Sequence, residues 1–360
     1  MPIKPMLGDM TNPLVSVLVH NYNYGRYLRQ CLESIFAQTY DNIEICFSDN
    51  ASTDNSWDIA LEFAKKYPGV MTATRNRKNS GSDANFQNCL QNAKGKYFVG
   101  LCSDDVLMPD FVAKCVHALE RHPNAGYAMV HRTIIDEHGR QTVEPPFYNQ
   151  SCVIPGKEQA AVYMMATVNP SVSQIMYNRA MISGKRARGS VAYRWFGMRI
   201  LDFNMCCVYD IAYINEPLLL HRMHPHNDTS TVAGNLVEAF GQFVLLHQFA
   251  DIASHHDRME KAIGRLPQAL EKLGKLCLRY CARALCANDA RCALRYFHLA
   301  LAIMPEITEE PTFQQLQAYW TADTSSKAEI VEGLKATANL ISRTVSYDPP
   351  PGSIAIEPKH

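Results

Sequence analysis

Asp104 and Asp105, adjacent in "LCSDDVLMPD" (101–110), carry the clearest chemical consequence in this chain. Two neighbouring carboxylates repel each other, and the pair costs stability unless a cation or a capped helix compensates. A divalent metal is the natural partner, because hard cations take oxygen ligands and commonly bridge a carboxylate to substrate phosphates. Two other stretches, "HNYNYGRY" (20–27) and "SDNASTDNS" (48–56), put amides, hydroxyls and carboxylates directly after an apolar run. Together they point to a nucleoside diphosphate held through a metal. The glycine-rich alternatives are missing, since there is no G-x-G-x-x-G after the first apolar run and no G-x-x-x-x-G-K. That absence argues against a dehydrogenase and against a sugar nucleotidyltransferase, which would open with a glycine- and arginine-rich phosphate loop.

The elements that must position these residues alternate in type. Short β-rich runs "LVSVLV" (14–19), "IEICFS" (43–48), "VMTAT" (70–74), "KYFVGLC" (96–102) and "GYAMVH" (126–131) are separated by "YLRQCLESIFAQ", "NSWDIALEFAKKY", "DANFQNCLQNAK" and "PDFVAKCVHALERH". In the latter, apolar residues recur at three- and four-residue spacing, the helical period. Strands alternating with such helices predict right-handed βαβ units and an α/β fold with a mostly parallel sheet covered by helices on both faces. Ligands of such sheets bind beyond the carboxyl ends of the strands, where the three polar stretches fall. Asp54 is read as a cap of the helix that follows, and "IIDEHGRQTV" (134–143) as a structural hairpin around His138 and Gly139.

With 360 residues, 47% apolar and 19% charged, the chain can bury one large core or two smaller ones. Lysine plus arginine and aspartate plus glutamate balance at 35 each, so no global field favours nucleic acid or an acidic membrane surface. The first ten residues, "MPIKPMLGDM", carry no secretion signal, and no apolar run reaches the roughly 18 residues of a membrane span. The expectation is a cytoplasmic protein with reduced thiols, at most peripherally associated with the inner face of the membrane. Cys277, Cys281, Cys286 and Cys292 lie in an alanine- and leucine-rich helical stretch and suit small core positions better than a zinc site.

The ordered segments "VSVLVHNYNYGRYLRQCLESIFAQTYDNIEICFSDNASTDNS", "NSGSDANFQNCLQNAKGKYFVGLCSDDVLMPDFV" and "DIAYINEPLLLHRMHP" resemble the family 2 glycosyltransferases of GT-A fold, over roughly residues 14 to 230. The resemblance implies a metal-dependent, inverting transferase with Mg²⁺ or Mn²⁺ as cofactor. It implies that Tyr22, Asn23 and Asp49 border the base and ribose of a nucleotide-sugar donor, and that Asn79, Gly81 and Asn85 line the same pocket. Asp104 would contact the ribose, and Asp104 and Asp105 would hold the metal on the diphosphate. Arg222 and His224, in "HRMHP", would approach the diphosphate, with His224 a possible metal ligand; strand alternation puts His221 on the opposite face from His224. His20 stands where the family has proline, and Cys102 where it has the first aspartate of D-x-D. The family's base matches Asp202, ahead of a helix about one turn short; the same aspartate could merely favour a helix start.

Residues 150–200 should build the acceptor cleft, with Tyr193 and Trp195 placed to stack on a sugar or to fill core. The expected domains are a catalytic domain over 1–231, a helical region over 232–340 with one tetratricopeptide-like hairpin around "CANDA", and a loosely ordered tail over 341–360. The expected donor is UDP- or dTDP-linked and the acceptor a glycan or lipid-linked hydroxyl in surface polysaccharide assembly. Two other functions fit the same residues: a catalytically inactive scaffold that binds nucleotide or glycan, and a protein that docks a partner through its C-terminal helices.

Overall fold

Strand β1 (Val15–Asn21) is buried along nearly its whole length, as its uninterrupted apolar run requires of a strand with helices on both faces. It pairs in parallel with β2 (Ile43–Asp49) on one side and β4 (Tyr97–Cys102) on the other, and β3 (Met71–Arg75) extends the sheet beyond β2. Helices α1 (Gly25–Phe36), α2 (Ser56–Lys66) and α3 (Ser82–Asn92) make the crossovers, and α4 (Phe111–Arg121) follows β4. Helix α1 shows why the pattern works: Tyr27, Leu28, Cys31, Leu32 and Ile35 fall on one face and are all buried. The register aligns Asn21 with Asp49 and His20 with Cys102, so three strands end at one level and deliver their polar stretches to one edge. The computed structural model describes residues 12–165, 170–182, 197–225, 227, 236–338 and 345–356.

The rest of the sheet is mixed. Its order is β11-β8-β10-β6-β9-β4-β1-β2-β3, where β6 (Ala125–Ile135) and β10 (Asp210–Arg222) are parallel to each other. Strand β9 (Ile175–Asn178) runs antiparallel between β4 and β6, and β8 (Cys152–Ile154) antiparallel to β10. The two-residue strand β5 (Val106–Leu107) turns back against β10, and β7 (Gln141–Thr142) closes a hairpin on β6. That hairpin is the one expected around His138 and Gly139; Gly139 has φ of 82°, where glycine is favoured. The tail returns to this sheet: β11 (Ile354–Ala355) pairs with β8, and Tyr347 bridges to Tyr148.

The chain divides into two units, one formed by Met1–Gly156, Pro170–Met223 and Val345–His360, the other by Lys157–Asn169 and His224–Thr344. Helix α5 (Gly156–Met165) spans the first boundary, and α6 (Arg179–Ile182) and α7 (Gly197–Val208) belong to the first unit. The second unit is helical: α8 (Val237–Ser254), α9 (Glu260–Ile263), α10 (Leu266–Cys286), α11 (Ala290–Ile303), α12 (Pro311–Thr321) and α13 (Thr324–Ala338). Helices α10 and α11 form the expected hairpin, turned by Asn288 at φ 63° and started by Asp289, whose side chain accepts the Cys292 N–H at 2.9 Å. Cys277, Cys281 and Cys292 are buried, and all twelve cysteines are free thiols. No helix among the described residues is long and apolar enough to cross a membrane.

Candidate active site

Asp105 leaves β4 and enters β5, and that short strand decides its surroundings. Because Val106 pairs with Leu220 in antiparallel register, the residue before Val106 meets the residue after Leu220. His221 Nδ1 accordingly donates to Asp105 Oδ1 at 3.1 Å, and the Arg222 N–H donates to the same oxygen at 2.9 Å. Ser171 Oγ lies 3.5 Å from Oδ2. Burial by itself raises the pKa of this carboxyl; the facing His221, Ser173 and the Arg222 N–H outweigh it and hold the group below its ordinary value. Asp105 is thus a fully buried, ionised carboxylate. The alternation argument had set His221 aside in favour of His224. It fails because β10 ends at Arg222, so the strand period does not reach residue 224. His224 is buried two residues beyond the strand, in the stretch that opens the second unit.

Arg222 is a brace. Its Nε donates to the Asp104 carbonyl at 2.9 Å, Nη1 to the Asp136 carbonyl at 3.0 Å and Nη2 to Gln30 Oε1 at 2.7 Å. Its guanidinium also sits 4.6 Å from the centre of the Tyr27 ring. One buried side chain therefore ties the carboxylate turn to α1 and to the β6–β7 hairpin.

Among the described residues, Cys102, Asp104 and Asp105 form a group whose ligand atoms all lie within 4.8 Å of one another. The Cys102 thiol is pushed well up, first by burial and then by the charges of Asp105 and Asp104, and behind it Cys31 Sγ donates to the Cys102 carbonyl at 3.6 Å. A protonated thiol is a poor ligand for a hard cation, whereas two converging carboxylates suit Mg²⁺ or Mn²⁺. The oxygen donors of Asp104 and Asp105 fit such an ion.

Across the same edge, Asp49 is buried and fully engaged. Its Oδ1 accepts from Asn21 Nδ2 at 3.1 Å and Ser52 Oγ at 2.5 Å, and its Oδ2 from the Ser52 N–H at 2.9 Å, with Arg75 Nε at 3.2 Å. Asn23 takes φ of 58°, gives its N–H to Ser52 Oγ at 2.9 Å and accepts the Thr53 N–H at 2.8 Å. Tyr22 stands beside them with 40% of its surface exposed. Asn79 accepts from Asn50 Nδ2 at 2.8 Å and from the Gly81 N–H at 2.9 Å, and Gly81 adopts φ of 88° to start α3. Asn85 is buried and staples two strands: its Nδ2 donates to the Asn21 and Ser48 carbonyls at 3.1 and 3.0 Å, while its Oδ1 accepts from Ser48 Oγ at 2.7 Å. Asp54 caps two helix starts, accepting the Gly25 N–H at 2.8 Å and the Ser56 N–H at 3.0 Å. Only glycine fits at 25, because a Cβ there would lie 2.1 Å from Asn55 Oδ1.

Asp202 is elsewhere. It is the sixth residue of α7 rather than its start, and Arg199 Nη2 and the Tyr177 hydroxyl each meet it at 2.6 Å. Tyr177 pairs with Phe98, four residues before Cys102, which at a strand rise of about 3.3 Å per residue is a level about 13 Å further down the sheet. The structure does not bring Asp202 to the carboxylate pair. Burial raises its pKa, against the pull of Arg199 and Tyr177. Tyr193 and Trp195 lie outside the described residues.

Residues 16–183 match Glycosyl transferase family 2. The chain carries a family 2 glycosyltransferase domain. Over 244 residues it is 25% identical to an uncharacterized glycosyltransferase of Rickettsia prowazekii, a match covering 65% of this chain and 71% of that one. It is 32% identical over 127 residues to a chondroitin synthase of Escherichia coli, covering 35% of this chain but 18% of the synthase. The solved structure of S. aureus TarS 1–349 with UDP-GlcNAc shares the fold, with a TM-score of 0.56 at 13% identity over 91% of this chain and 90% of that one. The glycosyltransferase domain thus has the GT-A architecture expected from its sequence.

Several residues of this transferase edge escape a reading of the sequence: His221, Gln30, Asn21, Asn50, Asn76 and Arg75. The asparagines left a trace, since Asn76, Asn79, Asn85 and Asn88 recur within "RNRKNSGSDANFQN", and Asn76 does bond Asn50 and Asn88 at 2.9 and 2.7 Å.

Proposed function

We propose that this domain transfers a sugar, with inversion, from a UDP- or dTDP-type donor to a hydroxyl of a glycan or lipid-linked acceptor, as in surface polysaccharide assembly. The observation that carries this reading is Asp105, a buried and ionised carboxylate held beside Asp104 where β4 ends. The fold shared with TarS, whose crystal structure holds UDP-GlcNAc, supports a nucleotide-sugar donor at the same edge. Asp104 and Asp105 would hold Mg²⁺ or Mn²⁺, which when bound supplies Lewis-acid stabilisation of the charge building on a departing diphosphate. Arg222 fixes the backbone of Asp104, and His221 fixes the orientation of Asp105. Tyr22 offers an exposed ring on which a base can stack, over a floor made rigid by Asn21, Asp49 and Ser52.

Asp202 is the base that the resemblance offers. In this reading its bonds to Arg199 and Tyr177 give it a different task, holding α7 against β9 on the acceptor side. The same bonds favour a second reading, a domain that binds donor without transferring it. Calorimetric titration with UDP and dTDP, in Mn²⁺ and in chelator, tests the donor site. Binding in Mn²⁺ alone supports it, and no binding in any condition ends it. Release of free sugar from a UDP-sugar, dependent on Mn²⁺, would exclude the inactive scaffold.

A further inference from the structure

Cys102 changes the character of the cation site. The Cys102 Sγ, an Asp104 oxygen and an Asp105 oxygen share a space 4.8 Å across, the thiol is free of any disulfide, and an imidazole nitrogen, His221 Nδ1, lies 3.1 Å from Asp105 Oδ1. Sulfur, oxygen and nitrogen donors so gathered are the ligand set of Zn²⁺, with bonds of about 2.3 Å to sulfur and about 2.0–2.2 Å to oxygen and nitrogen. Ligand atoms around such an ion stand closer together than 4.8 Å, so the site needs a small closure and no rearrangement of strands. A site of oxygens alone suits Mg²⁺ and Mn²⁺; a thiolate selects for zinc and cobalt.

We propose that Cys102 makes this a sulfur-liganded site for Zn²⁺ or Co²⁺, which there competes with the Mg²⁺ or Mn²⁺ of the transfer reaction. The proposal rests on the donor-site reading, because the same carboxylates serve both ions. Binding forms one metal–sulfur bond and sends the thiol proton to solvent; the charge of the ion reverses the local penalty on the thiolate. Zinc bound through Cys102 occupies the place of the hard cation and inhibits transfer.

The test is Co²⁺ titration of the full chain, read as near-ultraviolet absorption, on the wild type, Cys102→Ser and Cys102→Asp. A sulfur-to-cobalt charge-transfer band is expected in the wild type, removed by Zn²⁺, resistant to equimolar Mg²⁺ and absent from both variants. Cys102→Asp, which inserts the aspartate usual in D-x-D, should lower the Zn²⁺ to Mn²⁺ affinity ratio by at least about tenfold, the cost typical of losing even an outer-shell partner. A band that persists in both variants comes from another of the twelve cysteines and overturns the proposal. So does a missing band in a wild type that still binds UDP with Mn²⁺, which leaves the donor site standing. With neither band nor UDP binding, both fall.

Discussion

Asp105 and Asp202 are both buried and both face a cationic or imidazole side chain, yet the fold gives them different work. Asp105 sits past the end of β4, and its partners are a strand N–H, an imidazole and a serine at the carboxyl edge. Asp202 sits inside α7, and its partners Arg199 and Tyr177 join that helix to β9, about four residues down the sheet from the edge. Burial raises the pKa of both; hydrogen bonds at the edge reverse this for Asp105 and do not for Asp202. Position along the strand, more than residue type, separates a ligand carboxylate from a structural one.

The contrast is sharpest under substitution. Asp202→Asn leaves Arg199 buried and uncompensated, and the unfolding free energy should fall by about 3–5 kcal/mol, seen as a lowered urea midpoint. An unchanged midpoint with turnover abolished would reverse the assignment and make Asp202 the base. Arg222→Met removes three donors from the Asp104 carbonyl, the Asp136 carbonyl and Gln30. A loss of about 2–4 kcal/mol is expected, from roughly 1–3 for each group left unsatisfied, partly offset by water. Mn²⁺ affinity should weaken with it, and wild-type Mn²⁺ affinity in this variant would show that Arg222 does not position the carboxylates.

Asn85→Leu should cost about 1–3 kcal/mol through the unpaired Asn21 and Ser48 carbonyls, with donor affinity following only through the strand ends. A variant of native stability that has lost UDP binding would mean that Asn85 touches the nucleotide. The smallest effect concerns Asp54. Burial tends to raise its pKa, but the bonds from Ser56 and Gly25 hold it below the ordinary carboxylate range. A depressed folded pKa contributes stability above the unfolded value of about 3.9, lost as pH falls through the folded one. Asp54→Asn should flatten that acid limb, and an unchanged limb would remove Asp54 from the account.

The half of the molecule that was easy to read is the half built from local units. Strands β1, β2, β3 and β4 are five to seven residues long and each is joined to the next by an amphipathic helix, so periodicity alone finds them. Strands β8, β9 and β11 have three, four and two residues and are set by distant antiparallel partners, which no local pattern reveals. The tail was read as loose for the same reason, since its ordering comes from Cys152 and Val153, about 200 residues earlier in the chain. In the site, Asp104 and Asp105 were visible because they are adjacent. His221 was not, because its place depends on β5 turning back against β10. Arg222 was picked out for an approach to phosphate, but its direction toward Gln30 and Asp136 follows from packing across three elements.

The central claim is that Asp105 anchors a metal-dependent donor site. It is tested most directly by titrating UDP into the wild type and Asp105→Asn, each with Mn²⁺ and with chelator. The account predicts binding to the wild type with Mn²⁺ alone, and a loss on the order of 100-fold or more in a variant that remains folded. Equal UDP binding by both proteins, or binding indifferent to chelator, would contradict it.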